Sequence, residues 1–207
     1  MLHKNWAGAV QEEAIVSELI TAKDFIPKKV FFTKGVGLHK SRLGSFELAL
    51  RAAKIAQFNL VRVSSIFPPF CKVVNREEGL SHLNPGQIVF CVLSEVSTNE
   101  PERRIASSIG AARPVDKLRY GYLSEHHSFG ETARQAGDFA EDLAAEMLGS
   151  TMGLDINVDK AWDARRSIYR FPRNIIKARN MTATATGNRD GLWTTCMTAA
   201  IFILDDD

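Results

Sequence analysis

Asn59-Leu60-Val61-Arg62-Val63-Ser64-Ser65-Ile66-Phe67-Pro68-Pro69 is the stretch on which the reading of this chain turns. Leu60, Val61, Val63 and Ile66 predict a short strand that carries two serine hydroxyls into a Pro-Pro bend, a setting in which a nucleophile sits on strained backbone. A hydroxyl so placed has the chemistry to cut its own chain.

Working outward, Lys29-Val30-Phe31-Phe32-Thr33 reads as a strand and Lys34 to Lys40 as a glycine-bearing loop. A helix follows from about Ser45 to Gln57, with Phe46, Ala49, Leu50, Ala53 and Ala56 at helical spacing. After Pro69 the stretches Gly86 to Val96, Arg104 to Arg113 and Tyr120 to His126 are rich in β-formers and suggest an antiparallel meander. Glu131 to Leu148 returns to helical period, its apolar face running from Ala133 through Ala136, Ala140 and Ala144 to Leu148, with Gly149 as a stop. Two further strands are expected near Ile175 to Ala185 and Trp193 to Leu204, joined by the turn-like Gly187 to Gly191. Residues 9 to 22 read as an amphipathic helix, making 1–27 an N-terminal extension, and the final three aspartates read as solvated. Regular β-α-β alternation is missing, so the pattern fits an α+β layered sandwich, one domain over 1–207, better than a doubly wound parallel sheet.

The 207 residues, 45% hydrophobic and 24% charged, have the profile of a soluble globular protein. Twenty-six basic and 24 acidic residues are mixed rather than blocked, so no polybasic run points to nucleic acid or anionic lipid. Cys71, Cys91 and Cys196 are widely spaced and form no C-x-x-C, which argues against a disulfide framework and for reduced thiols in a cytoplasm. Glu12 and Glu13 interrupt any export signal, and no apolar run nears the roughly 18 residues that cross a bilayer.

Two motifs fail on inspection. Gly35, Gly37 and Lys40-Ser41 imitate a phosphate loop, but His39 stands where that loop needs glycine before lysine. His126 and His127 are adjacent on an expected strand, where neighbours point to opposite faces, so they do not converge on one metal ion and no metal site is expected.

The Asn59 to Pro69 segment resembles the self-cleavage segment of the pyruvoyl-dependent arginine decarboxylases. The likeness continues in consistent order from about residue 29 to the end, through Ser45-Phe46-Glu47-Leu48-Ala49-Leu50, Gly121-Tyr122-Leu123-Ser124-Glu125-His126-His127 and Trp193-Thr194-Thr195. The resemblance implies a four-layer αββα sandwich of largely antiparallel sheets. It also implies a homo-oligomer, a trimer of αβ units or a dimer of such trimers, with active sites between neighbouring subunits.

It implies that the Ser65 hydroxyl attacks the Ser64 carbonyl, giving a β chain of 1–64 and an α chain of 65–207 that begins with a covalent pyruvoyl group made from Ser65. That group would act on L-arginine through a Schiff base, releasing CO2 and agmatine for polyamine synthesis or acid resistance, with no diffusible cofactor. Asn59 matches the family asparagine near the scissile bond, where its amide would hold a carbonyl or the substrate carboxylate. Glu125 matches the catalytic glutamate, which must keep a proton at neutral pH and so is expected to have a raised pKa. Glu47 falls where the family places a carboxylate that grips a guanidinium. Some relatives carry aspartate there, so the same chemistry on lysine or ornithine stays open, as does a non-processing structural homologue. As residues alone, Asn59 is also a strand-start turn residue, Glu47 a first-turn helix acid and Glu125 a solvent-facing carboxylate.

Overall fold

The first long strand, β1 (Lys29–His39), runs straight through Gly35 and Gly37, where the sequence reading expects a loop. The glycines serve contact, not turning. A Cβ on Gly35 would overlap the Ala49 carbonyl and one on Gly37 the Ser45 carbonyl, so their absence lets helix α1 (Arg42–Ala52) lie directly on the strand. The Ser41 hydroxyl accepts from the Gly44 N–H and starts α1 earlier than the expected Ser45. The computed structural model describes residues 25–154, 162–163, 168–171 and 174–204. The helix expected over 9–22 and the final aspartates lie outside them.

Two sheets carry the fold. In the first, β2 (Asn59–Arg62), β5 (Ile88–Thr98), β11 (Trp193–Ile203), β1 and β4 (Lys72–Val73) lie side by side in that order. In the second the order is β3 (Ile66–Phe67), β7 (Gly121–Phe129), β6 (Arg104–Pro114), β10 (Asn174–Thr186), β9 (Ile168–Phe171) and β8 (Trp162–Asp163). All pairings are antiparallel except β2 with β5 and β1 with β4.

The expected meander is therefore broken. β6 and β7 are neighbours, but β5 sits in the other sheet. Both faces of β5 are apolar: Val89, Cys91 and Leu93 pack beneath α1, while Val92 faces the second sheet. A strand buried on both faces belongs inside a stack of layers. Likewise β10 and β11 lie in different sheets, so the Gly187 to Gly191 turn crosses between layers instead of closing a hairpin. Alternation along β11 follows from this position, with Met197, Ala199, Ile201 and Ile203 toward α1 and Ala200 and Phe202 between the sheets.

Helix α3 (Ala133–Thr151) covers the second sheet with Ala144, Ala145 and Leu148, packed on Ala112, Ile176 and Ala178. Thr132 and Gln135 cap each other reciprocally at its start. Gly149 does not stop it; the helix continues to Thr151 with Gly149 buried. A short helix, α2 (Arg76–Ser81), capped by Asn75, escapes the sequence reading because its six residues hold too little periodicity. The layers are thus helix, sheet, sheet, helix: the four-layer α+β sandwich the resemblance implies. Cys71, Cys91 and Cys196 are free and buried, and burial pushes their thiols up to about 12, 11 and 12.

Glu141 on α3 is 8% exposed and accepts a 2.7 Å hydrogen bond from Asn180 Nδ2. Burial raises its pKa, against that hydrogen bond and helped by Asp142 and Asp138. The folded protein then binds a proton the unfolded chain releases, so stability falls as pH rises from the ordinary carboxyl range through the raised folded value. Glu141→Gln removes this loss: the variant should gain on wild type in urea midpoint as pH increases from about 4 to 7, and equal slopes with pH would refute the assignment.

Candidate active site

β2 runs parallel to the edge of β5, from Asn59 beside Ile88 to Arg62 beside Cys91, and the Val63 N–H extends the ladder to the Cys91 carbonyl at 3.0 Å. Ile66 and Phe67 already pair with Tyr122 and Gly121 in the other sheet. Ser64 and Ser65 are therefore the link by which the chain leaves one sheet for the other. The pair is not on a strand, as the sequence reading has it.

Backbone groups hold this link on both sides. The Ile66 N–H donates to the Ser64 carbonyl at 2.9 Å, a bond from residue to residue plus two that makes Ser65 the apex of a γ-turn. The Leu123 N–H donates to the Ser65 carbonyl at 2.8 Å. Ser64 is exposed and Ser65 half-buried. The expected strain lies elsewhere. Neither serine is left-handed; that conformation falls at Phe70, φ 60, in the turn closed by Cys71 N–H on the Pro68 carbonyl.

Glu125 stands at the point where the ladder breaks. In the parallel register the next amide after the Val63 bond is Leu93 N–H, and the Glu125 carboxyl lies close enough to this amide for it to lower the carboxyl pKa. Leu123, which holds Ser65, precedes Glu125 on the same face of β7, roughly 7 Å along the strand. The carboxylate thus lies beside the serine link. Glu125 is exposed as a residue, yet partial desolvation of its carboxyl raises its pKa, outweighing Arg62, the Leu93 amide and His127, which all lower it.

Arg62 does not neutralise Glu125 because another acid claims it. Its Nη2 lies 3.0 Å from Glu95 Oε2, a buried atom with no well-aligned hydrogen-bond donor, so that pair is held by charge. Sequence reasoning missed Arg62, Glu95 and the Leu93 amide. Arg62 lies within the quoted segment, but its partner is brought in by fold and leaves no local trace.

The two histidines diverge as their adjacency predicts. His126 turns toward α3, with Nε2 2.8 Å from Glu131 Oε2 and its ring 4.4 Å from that of Phe139, while His127 shares the face of Glu125. Among the described residues no group of His, Cys, Asp or Glu is arranged to hold a metal ion.

Asn59 and Glu47 lie apart from the serine link within one chain. Asn59 begins β2, roughly 13 Å of strand before Val63, and its Nδ2 donates to the Gly86 carbonyl at 2.7 Å. Glu47 is on α1, where Arg51 Nε donates to its Oε1 at 2.6 Å, and its side chain keeps 43% exposure.

The sequence from residue 29 to 207 matches the family model described as pyruvoyl-dependent arginine decarboxylase. A protein of Chloroherpeton thalassium named "Probable pyruvoyl-dependent arginine decarboxylase" is 58% identical over 179 residues, 86% of this chain and 98% of the relative. Pyruvoyl-dependent arginine decarboxylase 2 of Methanosarcina acetivorans is 55% identical over 178 residues, 86% and 97% of the two chains. The pyruvoyl-dependent arginine decarboxylase of Methanococcoides burtonii is 54% identical over 179 residues, 86% and 99%. Fold and likeness place the chain among the enzymes whose reactive carbonyl is a covalently held pyruvoyl group. It belongs to the pyruvoyl-dependent arginine decarboxylase family.

Proposed function

We propose that this single-domain chain cuts itself between Ser64 and Ser65 and, once matured, decarboxylates L-arginine to agmatine and CO2. The observation that carries the reading is the position of the serine pair: a link between two sheets, with the scissile carbonyl held by one amide and an acid with a raised pKa alongside. The Ser65 hydroxyl adds to the Ser64 carbonyl carbon, and oxygen replaces nitrogen there, turning amide into ester. The Ile66 N–H, already on that carbonyl, stabilises the negative charge that develops on its oxygen. Removal of the α-hydrogen of residue 65 expels the Ser64 carboxylate and leaves dehydroalanine, which water converts to pyruvoyl and ammonia.

The residues present fit this group: Ser65 supplies its carbon skeleton, the Leu123 N–H fixes its carbonyl neighbour, and Glu125, two residues beyond Leu123 on the same face of β7, offers a carboxyl with a raised pKa. A pyruvoyl ketone condenses with the substrate amine and takes up the electron pair released with CO2. Glu125, its pKa raised by partial desolvation, gives its proton to the α-carbon.

Glu47 binds the guanidinium and Asn59 a substrate carboxylate or a carbonyl, and both come from a neighbouring copy, with the active site built between subunits of a trimer or dimer of trimers. Support comes from β2, the edge of the first sheet, and β3, the edge of the second. Val61, Ile66 and Ile88 are exposed along β2, β3 and the start of β5, an apolar edge that a second copy would cover. No helix among the described residues is long and apolar enough to cross a membrane, and three buried free thiols suit a reducing cytoplasm.

The test is CO2 release from a panel of arginine, lysine and ornithine, with intact mass of the same preparation. Arginine should dominate, from a protein of two polypeptides. Glu47→Ala should lower kcat/KM for arginine by about 10- to 100-fold, the value of a charge-assisted pair, and leave the cut intact. Equal turnover of lysine, or indifference to Glu47→Ala, would refute the substrate assignment.

A further inference from the structure

On the second sheet, the register of β6 and β10 sets Lys177 directly opposite Arg113, and Arg179 opposite Ala111. With side chains alternating along each strand, Arg113, Lys177 and Arg179 share one face, that of Ala111 and Ile109, which looks toward the first sheet. Opposite pairs stand roughly 5 Å apart and diagonal ones about 7 Å, so three like charges crowd one patch of sheet. Among the described residues no carboxylate forms an ion pair with any of the three.

The guanidiniums are also held in place. Arg113 lies 5.0 Å over the Phe67 ring and Arg179 4.8 Å over that of Phe32, so each is stacked and oriented rather than trailing in solvent. Arg179 has its pKa lowered by burial and, second, by Arg113 itself, as expected for charges left unneutralised. Arg113 and Lys177 border a recess of about 800 Å³ that opens beside Phe67 and Pro68, to which Lys72, Lys117 and Arg119 add charge, Arg119 being paired with Asp116 at 3.6 Å, and Glu78 is the one acid in its lining. An adjoining hollow of about 350 Å³ carries Arg179. This volume is that of a small-molecule site. Its sign repels arginine and agmatine, and Ser64, Ser65, Glu125, Glu47 and Asn59 are not in its lining. Folding gains nothing from like charges set opposite one another in a sheet, and an anion with several oxygens relieves the arrangement.

We propose that this recess binds a small phosphate-bearing anion, with Arg113 and Lys177 as its contacts. The proposal stands whether or not the chain is an arginine decarboxylase. Sodium tripolyphosphate and inorganic phosphate, titrated into the purified protein at low ionic strength and followed by calorimetry and thermal unfolding, test it. Tripolyphosphate should bind saturably and raise Tm, and Arg113→Gln or Lys177→Gln should each weaken binding about tenfold. Without anion, Lys177→Gln should unfold at a higher temperature than wild type, since it removes repulsion. The Ser65→Ala chain should bind tripolyphosphate like wild type, which separates this recess from the catalytic one. Absence of saturable binding, an equal response to sodium chloride at matched ionic strength, or unchanged affinity in both variants overturns the proposal. So does preference for phosphatidylglycerol vesicles over tripolyphosphate, which would make the patch a lipid-facing surface.

Discussion

Ser65→Ala should yield one uncut polypeptide of about 23.0 kDa with no decarboxylase activity, while Ser64→Ala is cut as wild type. The two serines are neighbours in sequence and unlike in role. Position 65 must supply an oxygen nucleophile and then the carbons of the pyruvoyl group, which alanine lacks. Position 64 contributes its carbonyl, and the bond from Ile66 N–H to that carbonyl is made by backbone and survives either change. Alanine at 65 leaves the Leu123 N–H to Ser65 carbonyl bond possible as well, so the variant should fold and its loss of activity is chemical. Intact mass and reaction with a carbonyl reagent read the result. A Ser65→Ala chain that still divides, or an undivided wild type, would sink the mechanism.

Glu125→Gln should give the opposite separation: a normally cut protein with kcat lowered by roughly 10² to 10⁴, the range for loss of a positioned acid. Glutamine occupies the same volume and keeps an oxygen near the Leu93 amide. What it lacks is the proton. Burial raises the Glu125 pKa, so wild type should hold its activity above the ordinary carboxyl range and lose it as pH rises through the raised value, where the acid becomes carboxylate. In Glu125→Gln the residual rate should show no such limb. Glu95→Gln offers a second reading, because it frees Arg62 from its 3.0 Å pair to face Glu125, which should move the limb to lower pH. An unchanged limb in both variants would remove Glu125 from the acid role.

Much of this was legible in the chain before any coordinates. Runs of β-formers marked β6, β7, β10 and β11 to within a few residues, and the alanine face of α3 needed only its helical spacing. What local pattern could not convey was which sheet each strand would join. β5 follows its neighbours in sequence but is apolar on both faces, and only the stacking of layers sends it beneath α1. Gly35 and Gly37 misled for a related reason: glycine signals a turn or a close approach, and the helix that demanded the approach lies several residues on. At the site, Ser64, Ser65 and Glu125 came from resemblance, and the fold brings the acid to the serine link. The Leu93 amide and Glu95 were invisible because proximity across strands has no signature in sequence.

β1 has one more consequence. It lies between β11 and β4, paired along its full length from Lys29 beside Ile203 to His39 beside Trp193, yet it falls on the short side of the cut. Residues 1–64 and 65–207 therefore share one sheet with no covalent bond between them once the link is broken. Such a protein remembers having been a single molecule: the uncut chain refolds by a first-order process, whereas the mature pair must find each other and refolds at a rate set by concentration. Continuity is needed to build the sandwich and is dispensable for keeping it.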